Sequence, residues 1–510
     1  MIFRWAVVLL FCLVSLTVFV FRPYSFGHSI PQGWGFNLVE SFSGQAFSPK
    51  PVSHTPVPQH PFLAPTNSAT MHVESFNSDV HPKGGPIGVN PSVRSFAHAA
   101  FGGLCANIAY NTSGNLVAMC ATFTNFHLLL ISPETLRPID SLVFPPRPSH
   151  RTLSLRKIMS DTSGGAYFYL DDQDRAVIVD AENKLHIVAT GSRDEIGSLQ
   201  VIETVDLNPA IRDDSYGHVG VVSALPDWAG NIWFVAQSGI VGVYSGEGEV
   251  VTYRIAGENI SNSFAMDRDH AYVVTDHALY AFRLSQSGGE IEQRWRLAYE
   301  RGTFIKPGTI TVGSGTSPTL IGDEFIAIVT SSEPQAELIV IGDRRTSSPR
   351  VVCTHPLFSR GVSATQNSVV GIGNSVVIEN NYGYDLFTTM MFGRTAEGGL
   401  ERIDFDPDMN SCHTVWRSDV ISQTTVPKLS AETGLVYVYA KSADAPLGVD
   451  AYYFSAIDFS TGRTAFQVLT GTGVSYDNNW APIFLKDGGC AYVGVLRGLV
   501  EICDDRRQAQ

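Results

Sequence analysis

Asp276 and His277 stand side by side in VVTDHALY (273–280), a carboxylate and an imidazole that could together move a proton. Neighbouring residues on a strand point to opposite faces, so the pair can cooperate only at a hairpin tip. Glu379 and Lys428 are the other catalytic candidates, each set in an apolar stretch, VVIENNYGY (376–384) and TTVPKLS (424–430). A lysine on an inner strand needs a counter-charge, and it reads as a buried ion-pair partner of Glu379 before it reads as a nucleophile. A second group could bind rather than react: Asn262, Asn367, Asn380, Asn381, Tyr382, Tyr476, Asn478, Asn479 and Arg497. Their oxygens and N–H groups, brought together, could hold a small polar ligand such as a sugar, or Ca²⁺. The competing reading is turn duty, because Asn and Asp side chains satisfy backbone groups in tight turns. The 14 histidines show no HExxH spacing, so zinc chemistry does not follow. No GxSxG elbow occurs, and GSGTS (313–317) lies between strands, so neither an activated serine nor a phosphate cradle is implied.

What could position these residues is a repeat. A short strand, a turn and two longer strands of alternating β-branched and aromatic residues recur, clearest in 218–245 and 262–284. Eight copies begin near 104, 153, 218, 262, 316, 367, 425 and 479. That period is the one expected of four-stranded blades. The reading is all-β: an eight-bladed β-propeller of four-stranded antiparallel blades, preferred over a stack of unrelated sandwiches. The last copy lacks an outer strand, and an unpaired edge is a liability, so 94–101 is expected to close the ring. In such a ring the between-blade loops and the middle hairpin tips share one face. The tips are expected at 171–174, 275–277, 380–382 and 496–498, and Asn262, Asn367 and Asn479 recur where inner strands begin.

The remainder of the chain bounds where this works. Among 510 residues only 16 % are charged, and the net charge of −14 leaves no basic stripe for nucleic acid. After Arg4 an uncharged apolar run, Trp5–Phe21, is just long enough to cross a bilayer as a helix. Residues 1–22 are therefore expected to be a membrane anchor, or a signal peptide cleaved after Gly27; either exports the chain. Residues 23–70, rich in Pro, Ser and His, are expected to be a disordered tether, 71–503 the propeller and 504–510 a tail. Six cysteines remain outside the anchor, an even count that allows disulfides. Cys105 with Cys120 and Cys490 with Cys503 flank hairpins; they could bridge neighbouring strands or cross between the first and last blades. Cys353 and Cys412 fit a bridge and free buried thiols equally.

Within the seventh copy, AIDFSTGRTAFQVLTG (456–471) resembles the repeat of pyrroloquinoline-quinone-type propellers, with Asp458, Thr461, Gly462 and Phe466 in the recurring places. The full pattern occurs once, and the adjacent cysteines such dehydrogenases carry near the quinone are missing, which argues against that cofactor. Several stretches, among them MHVESFNSDVHPKGGPIGVNP (71–91) and GTGVSYDNNWAPI (471–483), are similar to a group of exported bacterial propellers without an assigned activity. That resemblance implies that 71–91 belongs to the folded domain. The functional expectation is a membrane-tethered, extracytoplasmic module that binds a ligand or an envelope component. The rival is an enzyme using the same face, a Ca²⁺-assisted hydrolase or lactonase ahead of a quinone-dependent oxidoreductase.

Overall fold

The structure is a computed structural model that describes residues 28–99, 103–122, 124–151, 161–191, 198–212, 219–246 and 248–505. Eight antiparallel sheets follow one another along the chain, each running from an inner to an outer strand. They form the blades of a propeller, spanning 105–144, 169–206, 221–254, 265–298, 319–356, 370–418, 428–472 and 483–503. Second strands such as Ile232–Ala236 are buried along their whole length, whereas outer strands such as Arg137–Phe144 alternate between exposed and half-buried residues. This is what a radial stack requires: both faces of a middle strand meet another sheet, while the outer strand meets water.

Blade 8 takes its outer strand from before blade 1. Ser92–Ala97 pairs antiparallel with Gly498–Cys503, Ser92 opposite Cys503 and Ala97 opposite Gly498. The expected closure is therefore present, two residues earlier than the sequence suggests. The inner strand expected from about 153 in blade 2 falls partly on residues outside those described. The inner strand that the structure has there is Tyr169–Leu170. A strand of two residues cannot display an alternation, so its position was not legible. As a result 171–174 is the first hairpin turn of blade 2 and lies on the face opposite the other three tips.

Asp residues make several of these first turns. Asp171, Asp227 and Asp267 each accept two backbone N–H groups from their own turn, which is the turn role weighed above. Between blades, Trp295 and Trp416 of outer strands donate Nε1–H to Arg344 O at 2.9 Å and Phe459 O at 2.8 Å in the outer turn of the following blade. Gly462, at φ 71°, lies against the Trp416 ring, where a Cβ would sit 2.6 Å from Cδ2. The residues resembling the quinone-propeller repeat thus build an outer turn. Asp458 caps it and pairs with Lys50 at 2.7 Å.

Three disulfides join the six cysteines: Cys105–Cys120 and Cys490–Cys503 between neighbouring strands, and Cys353–Cys412 between the outer strands of blades 5 and 6.

Residues 28–91, most of them expected as a solvated tether, follow a fixed path over the domain. Gly33 N–H meets Thr472 O, and Phe42–Gly44 adds a strand outside blade 7. The chain then crosses the opposite face, where the His60 ring packs on Trp228 at 3.8 Å between centroids. From Leu63 it enters the central channel, and its backbone carbonyls accept N–H groups from the inner strands of blades 1, 2, 4, 5, 6 and 7 in turn. Val80–His81 pairs parallel with Lys428–Ser430. The segment's carbonyls take the inner-strand N–H groups, while the Asn67 and Asn77 amides donate to the carbonyls of Leu485, Phe264 and Pro318, which explains why its hydrophobic pattern is weak. The expected N-terminal hydrophobic helix lies outside the described residues, and among the described residues no helix is long and apolar enough to cross a membrane.

Candidate functional site

The channel segment makes the floor of the site. Asp79, fully buried, accepts a hydrogen bond from the Lys428 ammonium and another from the Ser368 hydroxyl. His72 Nδ1 lies 3.1 Å from its Oδ1, and Lys428 also donates to Met71 O at 2.7 Å. Burial works against a charge on Asp79, but Lys428 and His72 outweigh it and hold the carboxyl below its ordinary value. An ionised carboxylate only accepts, so Nδ1 of His72 carries the proton and, in the neutral ring, Nε2 presents a lone pair. That Nε2 is buried and has no hydrogen-bond partner among the described residues.

His72 and Met71 face a cavity of about 220 Å³ on the funnel side of the plug. Its wall collects residues from between-blade loops and middle tips: Leu104 and Phe126 from blade 1, Ile310, Leu386, Val426, and Trp480 beside Leu496. Most of that wall is apolar. The polar lining includes His72 and Ser368 at the floor, Arg147 and Asp161 on one flank, and loop amides such as Gln366 elsewhere around the wall. Tyr167, pushed up to about 12 by burial and by the Asp79 charge, stands with its ring 6.0 Å from that of His72. Arg147 and Asp161 attract one another on the flank, where Arg147 Nε–H donates to Ser163 O at 2.5 Å. A second cavity of about 140 Å³, lined by Val73, Glu74 and Val80, lies on the other side of the plug.

Of the residues singled out from the sequence, Asn262, Asn367 and Asn479 do converge on the funnel cavity. Asn262 also bonds Gln366 at 3.3 Å, and Asn479 accepts from the Tyr384 hydroxyl at 3.2 Å. Asn367 donates to both Glu379 and Thr424 O. Glu379 does not pair with Lys428, whose counter-charge is Asp79, 349 residues away in the chain, which sequence spacing cannot show. Glu379 instead accepts from Asn381 at 2.6 Å and from Asn367, and burial pushes it up to about 7 against the pull of Ser422 and these amides. Asn380 and Asn478 are spent on neighbouring backbone groups, and Asn381 divides its amide between Glu379 and backbone groups. Tyr476 holds the start of the described chain, donating to Ile30 O at 2.8 Å. Tyr382 and Arg497 belong to their middle tips outside the cavity lining, Arg497 O accepting from His98 N–H. The hairpin tip does bring Asp276 and His277 together, at 2.9 Å, but on the rim and not in the cavity. Among the described residues no group of three or more His, Cys, Asp or Glu side chains could hold a metal ion.

Sequence reasoning missed His72, Asp79 and Tyr167. The available signal was the clustering of His72, Glu74, Asp79 and His81 within one short stretch that the family likeness already placed in the fold.

No family model matches the chain. An uncharacterized protein of Archaeoglobus fulgidus is 24 % identical over 319 residues, which span 56 % of this chain and 61 % of that protein. Among solved structures, the C-terminal WD40 domain of Sif2 aligns at a TM-score of 0.46 and 11 % identity over 79 % of this chain and 97 % of its own. Virginiamycin B lyase from Staphylococcus aureus aligns at 0.40 and 8 % identity over 81 % of this chain and 99 % of its own. The two solved structures are likenesses of fold and carry no reading of function.

Proposed function

We propose that the chain is an exported, membrane-tethered propeller that binds a small ligand in the funnel above the plug. The observation that carries this reading is a cavity of about 220 Å³ whose floor includes His72, a residue that keeps one buried ring nitrogen, Nε2, without a hydrogen-bond partner among the described residues. An unsatisfied buried polar atom costs roughly 1–3 kcal/mol, and a ligand O–H or N–H placed there removes that cost. The apolar wall favours a molecule with one donor at its tip and apolar flanks over a uniformly polar sugar. Three disulfides support a compartment outside the cytoplasm. The test is native mass spectrometry of the full chain, purified without chelator, before and after His72→Ala. A bound organic mass on the parent that the variant lacks is the expected outcome; equal occupancy on both would remove His72 as the group that holds the ligand.

One feature favours an enzyme as the second reading. A carboxylate on Nδ1 of a histidine that lines a cavity is the arrangement of a general base, in which Nε2, once reached by a substrate, takes its proton and Asp79 stabilises the imidazolium. In that case His72→Ala abolishes turnover while the ligand still binds.

A further inference from the structure

The exposed apolar residues on the funnel face include Phe304 and Ile305 beside the blade 5 tip and a larger group over blades 6 and 7. The short helix Leu386–Phe392 joins the middle strands of blade 6 and exposes Met391 by 62 % and Phe392 by 69 %. Beside it lies the middle loop of blade 7, where Leu447 is 79 % exposed. The two are tied together: Lys441 donates to Gly393 O at 2.9 Å and pairs with Asp450 at 2.8 Å. The patch continues into the chain start, because Gly35 packs on Val449 and Trp34 is 70 % exposed. Contiguous apolar surface of this kind marks a contact with something other than water.

The chain itself indicates what. Residue 28 sits on the same face, its carbonyl accepting Ala97 N–H at the end of the closing strand. Only Arg22–Gly27 separates it from the apolar run Trp5–Phe21. At full extension that distance spans no more than about 25 Å. A tether this short keeps the face from which it leaves close to the membrane that holds the run.

We infer that blades 6 and 7 rest on the bilayer, with Trp34, Met391, Phe392 and Leu447 in its interfacial layer and the funnel opening toward lipid. Trp and large apolar side chains are the groups that settle at this depth. With a net charge of −14, the contact relies on apolar burial and needs no anionic lipid. The inference rests on the anchor reading of Trp5–Phe21.

Its test uses the full chain with Cys12→Ser, reconstituted in phosphatidylcholine vesicles and labelled with a fluorophore at Met391→Cys, Leu447→Cys or, as control, Met409→Cys. Met409 is 76 % exposed in an outer turn on the opposite face. Unchanged thermal midpoints establish that the variants are folded. Spin-labelled lipid is expected to quench the labels at 391 and 447 several-fold more than the label at 409. Equal quenching at the three positions, with the protein co-floating with vesicles, overturns the docking while keeping the anchor. Shielding of 391 and 447 from an aqueous quencher without quenching by lipid also overturns it, and assigns the patch to protein. A chain that does not float with vesicles overturns the anchor and the docking together.

Discussion

Glu74, Glu379 and Asp477 are each pushed up to about 7, in every case mainly by burial. For a carboxyl raised on folding, the native state holds more protons than the unfolded chain between the two values. Its contribution to stability is therefore complete at low pH and falls as pH rises from the ordinary value, 4.5 for the two Glu and 3.8 for Asp477, to about 7. His60, pulled down to about 4, and His81 and His98, pulled down to about 3, act in the opposite sense. The informative quantity is then a difference between variants. Glu379→Gln should gain stability over the parent on going from pH 5 to pH 8, by on the order of 3 kcal/mol, measured by chemical denaturation at both values. An unchanged difference would mean that Glu379 is already ionised at pH 5. Lys428→Met leaves the Asp79 carboxylate buried without its cation, and is expected to cost about 3–5 kcal/mol. A loss below about 1 kcal/mol in the same assay would show that His72 and Ser368 suffice for Asp79.

At the scale of elements, seven of the eight inner strands begin within a few residues of where the repeat places them. The exception, Tyr169–Leu170, shows what the repeat could not convey. Its brevity moved one tip, 171–174, to the wrong face, while 275–277, 380–382 and 496–498 remained on the funnel side. Turn chemistry also separated structural from functional polar groups only after the partners were visible. Asn381 and Asn367 look alike in sequence, yet only Asn367 lines the cavity. Among the three disulfides, Cys353–Cys412 alone joins two blades, closing 59 residues. Replacing both cysteines by serine should cost about 4 kcal/mol by the loop-entropy estimate, read as a lower urea midpoint. A midpoint that does not move would mean that blades 5 and 6 are held by their packing alone.

For the whole molecule, the plug is the largest departure from expectation and carries the strongest consequence. Residues 63–81 touch the inner strands of six blades, so removing residues 28–81 strips those strands of partners and leaves Lys428 buried without Asp79. That truncated chain is expected to lose its near-ultraviolet circular dichroism and to aggregate on size exclusion. A truncated chain that stays monomeric with native dichroism would make the segment a ligand of the channel instead of part of its core.

The sequence by itself determined the blade count, the antiparallel four-stranded plan and the closing strand, because hydrophobic alternation and turn residues are local and repeat. It also placed Asn262, Asn367 and Asn479 on the right face, since a position in the repeat maps directly to a position in the ring. Only the tertiary structure decided that 63–81 fills the channel, that Asp79 and not Glu379 is the partner of Lys428, and that His72 stands at the floor of the funnel. These depend on contacts between segments some 300 residues apart. A polar segment whose backbone and side chains are matched inside a channel has the same composition as one solvated outside it.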